Sequence, residues 1–220
     1  GYVNGTQSKA GNAVAADVSL YYQDEDLSVN DQDFDLAFGL NIRNIGSKIS
    51  YTSQKESFIP TNMKLGGAVN FHLDKYNSLM FTTDLNKLLV PTPPVDSIND
   101  DGDRVILAGM DDEVAPPQGM MQSFYDAPGG FEEELNEIKY SVGVEYLYQN
   151  TFAVRTGYFH EHQNKGNRKY FTVGIGLELN VVSMDFAYLI PRHQNHPLGN
   201  TIRFTLALDF DALGRENQQK

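Results

Sequence analysis

Apolar and polar residues alternate with a period of two along most of this chain. Over residues 200–210, Ile202, Phe204, Leu206, Leu208 and Phe210 fall on one face, with Arg203, Thr205, Ala207 and Asp209 on the other. Over 139–148, Tyr140, Val142, Val144, Tyr146 and Tyr148 alternate with Ser141, Gly143, Glu145 and Leu147. Over 32–43, Phe34, Leu36, Phe38, Leu40 and Ile42 alternate with Asp35, Ala37, Gly39, Asn41 and Arg43. Successive side chains of a β-strand point to opposite faces, so the pattern predicts strands. It recurs at 13–23, 62–73, 77–86, 152–161, 169–180 and 183–191, which makes about nine strands. Many of them approach the roughly 9–11 residues that cross a bilayer when tilted.

The connections alternate in length. Residues 74–76, 149–151 and 181–182 read as tight turns, and 24–31 as a slightly longer one; 44–61, 87–138, 162–168 and 192–199 form a longer set. Successive connections of an antiparallel meander lie at opposite ends, so the long set shares one end. Short turns at one end and long loops at the other are the arrangement of an outer-membrane β-barrel, with the long loops outside. A soluble all-β sandwich, whose apolar faces point inward, has little reason to produce it. The expected fold is therefore all-β, an antiparallel transmembrane barrel spanning 1–220 as one domain, with long outside loops at 44–61 and 87–138 and a polar tail at 211–220. Nine is an odd number for a single-chain barrel, and an open sheet edge in lipid is costly. We therefore expect further strands before Gly1.

Composition is compatible with this. Apolar residues make up 40% of the chain and charged residues 21%, and the mean hydropathy is −0.41. No stretch approaches the roughly 20 apolar residues of a membrane helix, whereas alternating strands average out on any hydropathy scale. The chain has no cysteine, so thiolate nucleophiles, thiolate metal sites and disulfides are excluded. A net charge of −12 argues against a nucleic-acid partner, which requires a basic footprint.

Several stretches carry a likeness that periodicity cannot supply. They are NIRNIGSKISY (41–51), FIPTNMKLGGAVNF (58–71), DLNKLLVPTPP (84–94), APGGFEEELNEI (127–138), GYFHEH (157–162), KYFTVGIG (169–176) and the last strand NTIRFTLALDF (200–210). Together they resemble the PorV family of the Bacteroidetes type IX secretion system, a relative of FadL-like barrels. The likeness runs from about Ala13 to about Phe210. It implies a barrel of about 14 strands, of which this chain would be the C-terminal majority. It also implies an integral, non-enzymatic outer-membrane protein without cofactors. Such a protein binds secreted cargo bearing a type IX C-terminal domain at the translocon barrel and passes it to the attachment-complex sortase on the cell surface. Outer-membrane barrels commonly stop at a terminal aromatic, which Phe210 would supply; here Asp211 to Lys220 continue past it.

Candidate chemistry is sparse. In the loop 87–138, prolines at 91, 93 and 94 precede the acidic residues Asp96, Asp100, Asp101, Asp103, Asp111, Asp112 and Glu113. Asn99, Asp101 and Asp103 around Gly102 faintly suggest a calcium loop, but Ala108 stands where the closing Glu would be. Phe131, Leu135 and Ile138 have helical spacing. Exposed aromatics are enriched at interface cores, so Phe58, Ile59 and Pro60 in one loop, with Phe124, Tyr125 and Phe131 in the other, are the candidate partner-binding residues. Asp35, Arg43, Glu145, Arg155, Asp185 and Arg203 on the polar faces are read as a self-neutralising charge network in the lumen. His160, His162, His193 and His196 are read as titrating loop histidines rather than metal ligands. No nucleophile elbow or dinucleotide fingerprint is present.

Overall fold

The computed structural model describes residues 2–3, 6–7, 10–51, 56–192, 199 and 201–209. Phe210, the tail 211–220, His193 and His196 lie outside the described residues. The fold is all-β. Nine strands, β1 (Ala15–Val29), β2 (Gln32–Gly46), β3 (Asn62–His72), β4 (Asn77–Leu88), β5 (Lys139–Tyr148), β6 (Phe152–His160), β7 (Lys169–Glu178), β8 (Val182–Pro191) and β9 (Ile202–Leu208), pair in strict chain order from β1 to β9. The order ends on β1 and β9, which do not pair with each other among the described residues. Among the described residues no helix is long and apolar enough to cross a membrane.

The four tight connections explain the register. Asn30 and Asp31 both take positive φ, 52° and 61°, the requirement of a two-residue hairpin turn whose twist matches that of the strands. The expected connection 24–31 is thus too long: β1 continues to Val29. Its polar run 21–25 stays in the strand because side chains two apart share a face. Tyr21 Oη donates to Gln23 Oε1 at 2.8 Å, and Gln23 Nε2 to Glu25 Oε1 at 2.6 Å. Gln149 and Asn150 repeat the positive-φ pair, and Thr151 N–H closes that turn on Tyr148 C=O at 3.0 Å. At 74–76 the Asp74 carboxylate accepts from the Tyr76 and Asn77 N–H groups at 2.7 and 3.0 Å. These bonds hold its pKa below the ordinary carboxylate value. Leu179 N–H donates to Val182 C=O at 2.9 Å in the fourth.

The residues group into two compact units, one of Gly1–Leu20, Gly39–Leu65 and Leu85–Lys139, the other of Tyr21–Phe38, Gly66–Asp84 and Tyr140–Lys220. In the second unit the register draws two adjacent rows across β5 to β9. Tyr146, Val154, Ile175, Phe186 and Phe204 stand opposite one another in turn. One position along, the row reads Glu145, Arg155, Gly174, Ala187 and Arg203. The first row is wholly apolar and 38–66% exposed. The second carries the charges and lies on the opposite face. Among the described residues only three apolar side chains are buried, Leu89, Ala127 and Ala153. A water-soluble sandwich would instead turn its Phe, Tyr and Leu faces onto one another.

In the first unit the loop 87–138 is built rather than structureless. A hairpin joins Val95–Ile98 to Arg104–Ala108. Helix α1 spans Pro116–Gln122 and α2 spans Phe131–Asn136. Helix α2 falls where the Phe131/Leu135/Ile138 spacing placed one. Gly130 at φ 71° lets the chain enter it, and Glu132, Glu133 and Glu134 favour the positive end of its dipole. Helix α1 starts on two prolines, which suit the first helical turn because its N–H groups have no intrahelical partner.

Candidate docking surface and its buried charge cluster

Residues of four stretches that carry the family likeness, 41–51, 58–71, 84–94 and 127–138, meet in the first unit. Lys87, on β4, is 5% exposed, and its Nζ donates to Glu134 Oε2 and Glu137 Oε2, both at 2.9 Å. Glu134 also accepts the Ala127 N–H at 2.8 Å through Oε1, and Glu137 accepts the Thr92 hydroxyl at 2.7 Å. The Thr92 N–H donates to Asp126 Oδ2 at 3.1 Å. Thr61 is buried; its hydroxyl donates to Asn44 C=O at 2.7 Å, and its own carbonyl accepts the Leu89 N–H at 2.8 Å. The prolines at 91 and 94 are buried beside this strap. The result is a set of buried and half-buried polar groups, mostly hydrogen-bonded, that fixes α2 and the 87–94 segment together.

Asp126 is the exception. It is 1% exposed, and its Oδ1 has no hydrogen-bond partner among the described residues. Burial raises its pKa above the usual carboxylate range; the Thr92 N–H bond opposes the shift, and the nearby Glu134 and Glu137 charges reinforce it. The sequence reading missed this cluster. Its one sequence signal is that Lys87 occupies an apolar-face position of β4, after Leu79, Phe81 and Leu85.

Aromatic and aliphatic side chains surround the buried charges. Met63, Leu65, Leu85, Phe124, Phe131, Leu135 and Ile138 line an apolar groove of about 200 Å³, with Lys87 and Glu134 at its wall. Of the expected partner-binding residues, Phe124, Tyr125 and Phe131 are exposed, Phe131 at 76%. Phe58 and Ile59 are only half-exposed. Phe58 lies against α1, where a Cβ on Gly119 would meet its ring at 2.9 Å, and Lys48 Nζ sits 4.4 Å from its ring centre. Pro60 is exposed, and its carbonyl accepts from Asn44 Nδ2 at 3.1 Å.

The acidic stretch is organised by the 95–108 hairpin. Arg104 pairs with Asp96 and, at 3.0 Å, with Asp112. Asn99 Oδ1 accepts the Asp101 and Asp103 N–H groups at 3.1 and 2.7 Å, closing the hairpin turn around Gly102. Among the described residues no group of three or more His, Asp or Glu could hold a metal ion. In the 161–168 connection, Glu161, 2% exposed, takes a two-pronged bond from Arg168 at 2.7 and 2.9 Å, which raises the Arg168 pKa.

On the polar face the expected charge network divides. Arg155 is bonded to both Glu145 and Asp185. Asp35 meets His72 at 3.0 Å and Asn70 at 3.2 Å instead of Arg43. Arg203 shares Arg155's row but stands three strands away, with Gly174 and Ala187 between them, roughly 14 Å at ~4.8 Å per strand. Among the described residues neither Arg43 nor Arg203 forms an ion pair.

Residues 2–95 match the family model described as "Type IX secretion system protein PorV". No curated protein matches the chain. The match supports the resemblance over the first part of the chain, including the 41–51, 58–71 and 84–94 stretches. The PorV family implies a component of type IX secretion in the outer membrane.

Proposed function

From the PorV match over residues 2–95 we infer that this chain is a non-enzymatic outer-membrane component of type IX secretion, integral to the bilayer, with its long connections outside the cell. It binds secreted cargo through the cargo's type IX C-terminal domain beside the translocon barrel and hands it to the attachment-complex sortase. The observation that carries the membrane reading is the exposed apolar row Tyr146, Val154, Ile175, Phe186 and Phe204, backed one position along by a charged row. An apolar band on one face with polar residues on the other is how barrel strands divide between lipid and lumen. The outer edges of β1 and β9, unpaired among the described residues, need partners in lipid, because an unpaired backbone group there costs several kcal/mol.

Docking through the long connections is supported by Phe124, Tyr125 and Phe131, held exposed on a layer that the Lys87 cluster fixes in place. Large side chains on a rigid base lose little entropy on binding. The test is purification of the full protein in mild detergent with identification of what accompanies it. Secreted proteins sharing a C-terminal domain, together with a large translocon barrel, are the expected companions. Recovery of bound fatty acid or lipid with no protein partner would instead favour a channel for hydrophobic small molecules.

A further inference from the structure

The hairpin joining Val95–Ile98 to Arg104–Ala108 is a two-stranded ribbon that pairs with no other strand among the described residues. Isolated ribbons of this kind are marginal in water. Eight of its nine strand residues are exposed, Ile98 at 75% and Leu107 at 65%. Its edges have a definite chemistry. The Asn99 N–H donates to Asp103 C=O at 3.0 Å, which makes that pair hydrogen-bonded. Pairs alternate along an antiparallel ladder, so Ile98/Arg104 and Asp96/Ile106 are the non-bonded pairs, and their N–H and C=O groups point away from the ribbon. Each edge therefore presents free donors and acceptors at the spacing of a missing strand.

Charge restricts what fits. Between 95 and 113 stand seven carboxylates and one cation, Arg104, which already serves Asp96 and Asp112. Among the described residues Asp100, Asp101, Asp103, Asp111 and Glu113 meet no cation.

We propose that this hairpin docks an extended segment of a partner protein by strand addition, and that the segment alternates basic and apolar residues. Backbone pairing along the 104–108 strand supplies the affinity, the basic side chains meet the unpaired carboxylates, and the apolar ones cover the exposed Leu107. The proposal rests on the reading of the long connections as the docking surface and names the chemistry of what docks there.

The test uses the full protein in detergent and two synthetic probes of about eight residues, one alternating Lys and Val, the other alternating Glu and Val. The Lys/Val probe binds along the 104–108 strand, weakens with added salt, and slows hydrogen exchange at the outward amide of Ile106. The Glu/Val probe binds at least about tenfold more weakly. Ile106→Pro removes one outward N–H without touching the ladder; it abolishes protection at Ile106's edge while the Val105 amide stays protected. Ile106→Val serves as the matched control and binds as the parent does. Equal binding of both probes, no binding of either, or unchanged binding by Ile106→Pro overturns the proposal. If the Ile106→Pro protein still co-purifies with cargo and translocon, docking lies elsewhere and the secretion role stands. If the parent protein recovers no protein partner, that role itself fails.

Discussion

Replacing Lys87 by Met tests whether the buried charge cluster is what holds the long connection in place. The side chains of Lys87, Glu134 and Glu137 are 6%, 6% and 12% exposed, so removing the ammonium leaves two carboxylates facing each other out of water. Breaking a buried pair from one side costs about 3–5 kcal/mol. Here the lower end applies, because Glu134 keeps the Ala127 N–H and Glu137 keeps the Thr92 hydroxyl. A loss of about 3 kcal/mol raises the opening equilibrium of the layer roughly a hundredfold. Native-state hydrogen exchange in detergent reads this at two amides, Ala127, bonded to Glu134, and Leu89, bonded to Thr61. Both should exchange faster in Lys87→Met, while amides within β6 and β7 stay unchanged. Adding Glu134→Gln to Lys87→Met should recover part of the loss, since it removes one of the stranded charges. A change below about 0.5 kcal/mol at both amides, the range of an ordinary surface substitution, would refute the assignment.

Asp126→Asn should flatten the pH dependence of the same layer. The folded-state pKa of Asp126 is raised, so its contribution is fully present below the unfolded carboxylate value and is lost as pH rises through the folded value. The parent layer therefore opens more readily as pH increases towards neutral, and the variant, which cannot ionise there, does not. Parallel pH profiles from exchange corrected for intrinsic rates would contradict this. In β7, Val173→Arg should cost about 2–4 kcal/mol in denaturant unfolding from lipid vesicles, the penalty of a cation on a lipid-facing strand position near mid-bilayer. Thr172→Arg, one residue earlier on the other face, should cost much less; equal penalties would refute the assignment of faces.

Period-two alternation was enough to read the nine strands, because alternation follows directly from the geometry of a strand and survives whatever lies on either side of it. What it could not fix was where polar runs end. The 24–31 segment reads as a connection, yet the strand continues through it to Val29, and only the positive-φ pair Asn30–Asp31 ends it. The loop 87–138 was legible in part. The spacing of Phe131, Leu135 and Ile138 gave α2, and the two prolines at 116 and 117 could have given α1. The acidic residues were the harder case. Charge runs are usually solvated faces, which hides that Glu134 and Glu137 turn inward to a lysine some fifty residues away in sequence. Long-range pairing of this kind leaves no local periodicity. The same limit explains the polar face: Glu145, Arg155 and Asp185 meet because adjacent strands bring them into register, whereas the distance of Arg203 from that centre depends on strand order.

The most direct test of the whole account is which face of the sheet touches lipid. The chain has no cysteine, so single cysteines can be placed and spin-labelled at will, at Val173, Ile175 and Phe204 on one face and at Thr172, Ala187 and Thr205 on the other. In lipid vesicles the first three labels should collide with dissolved oxygen, which concentrates in the bilayer, and be shielded from a water-soluble nickel chelate. The second three should show the reverse. Nickel access at Val173, Ile175 and Phe204, or a protein that stays monomeric in plain buffer without detergent, would contradict the membrane reading and the secretion role built on it.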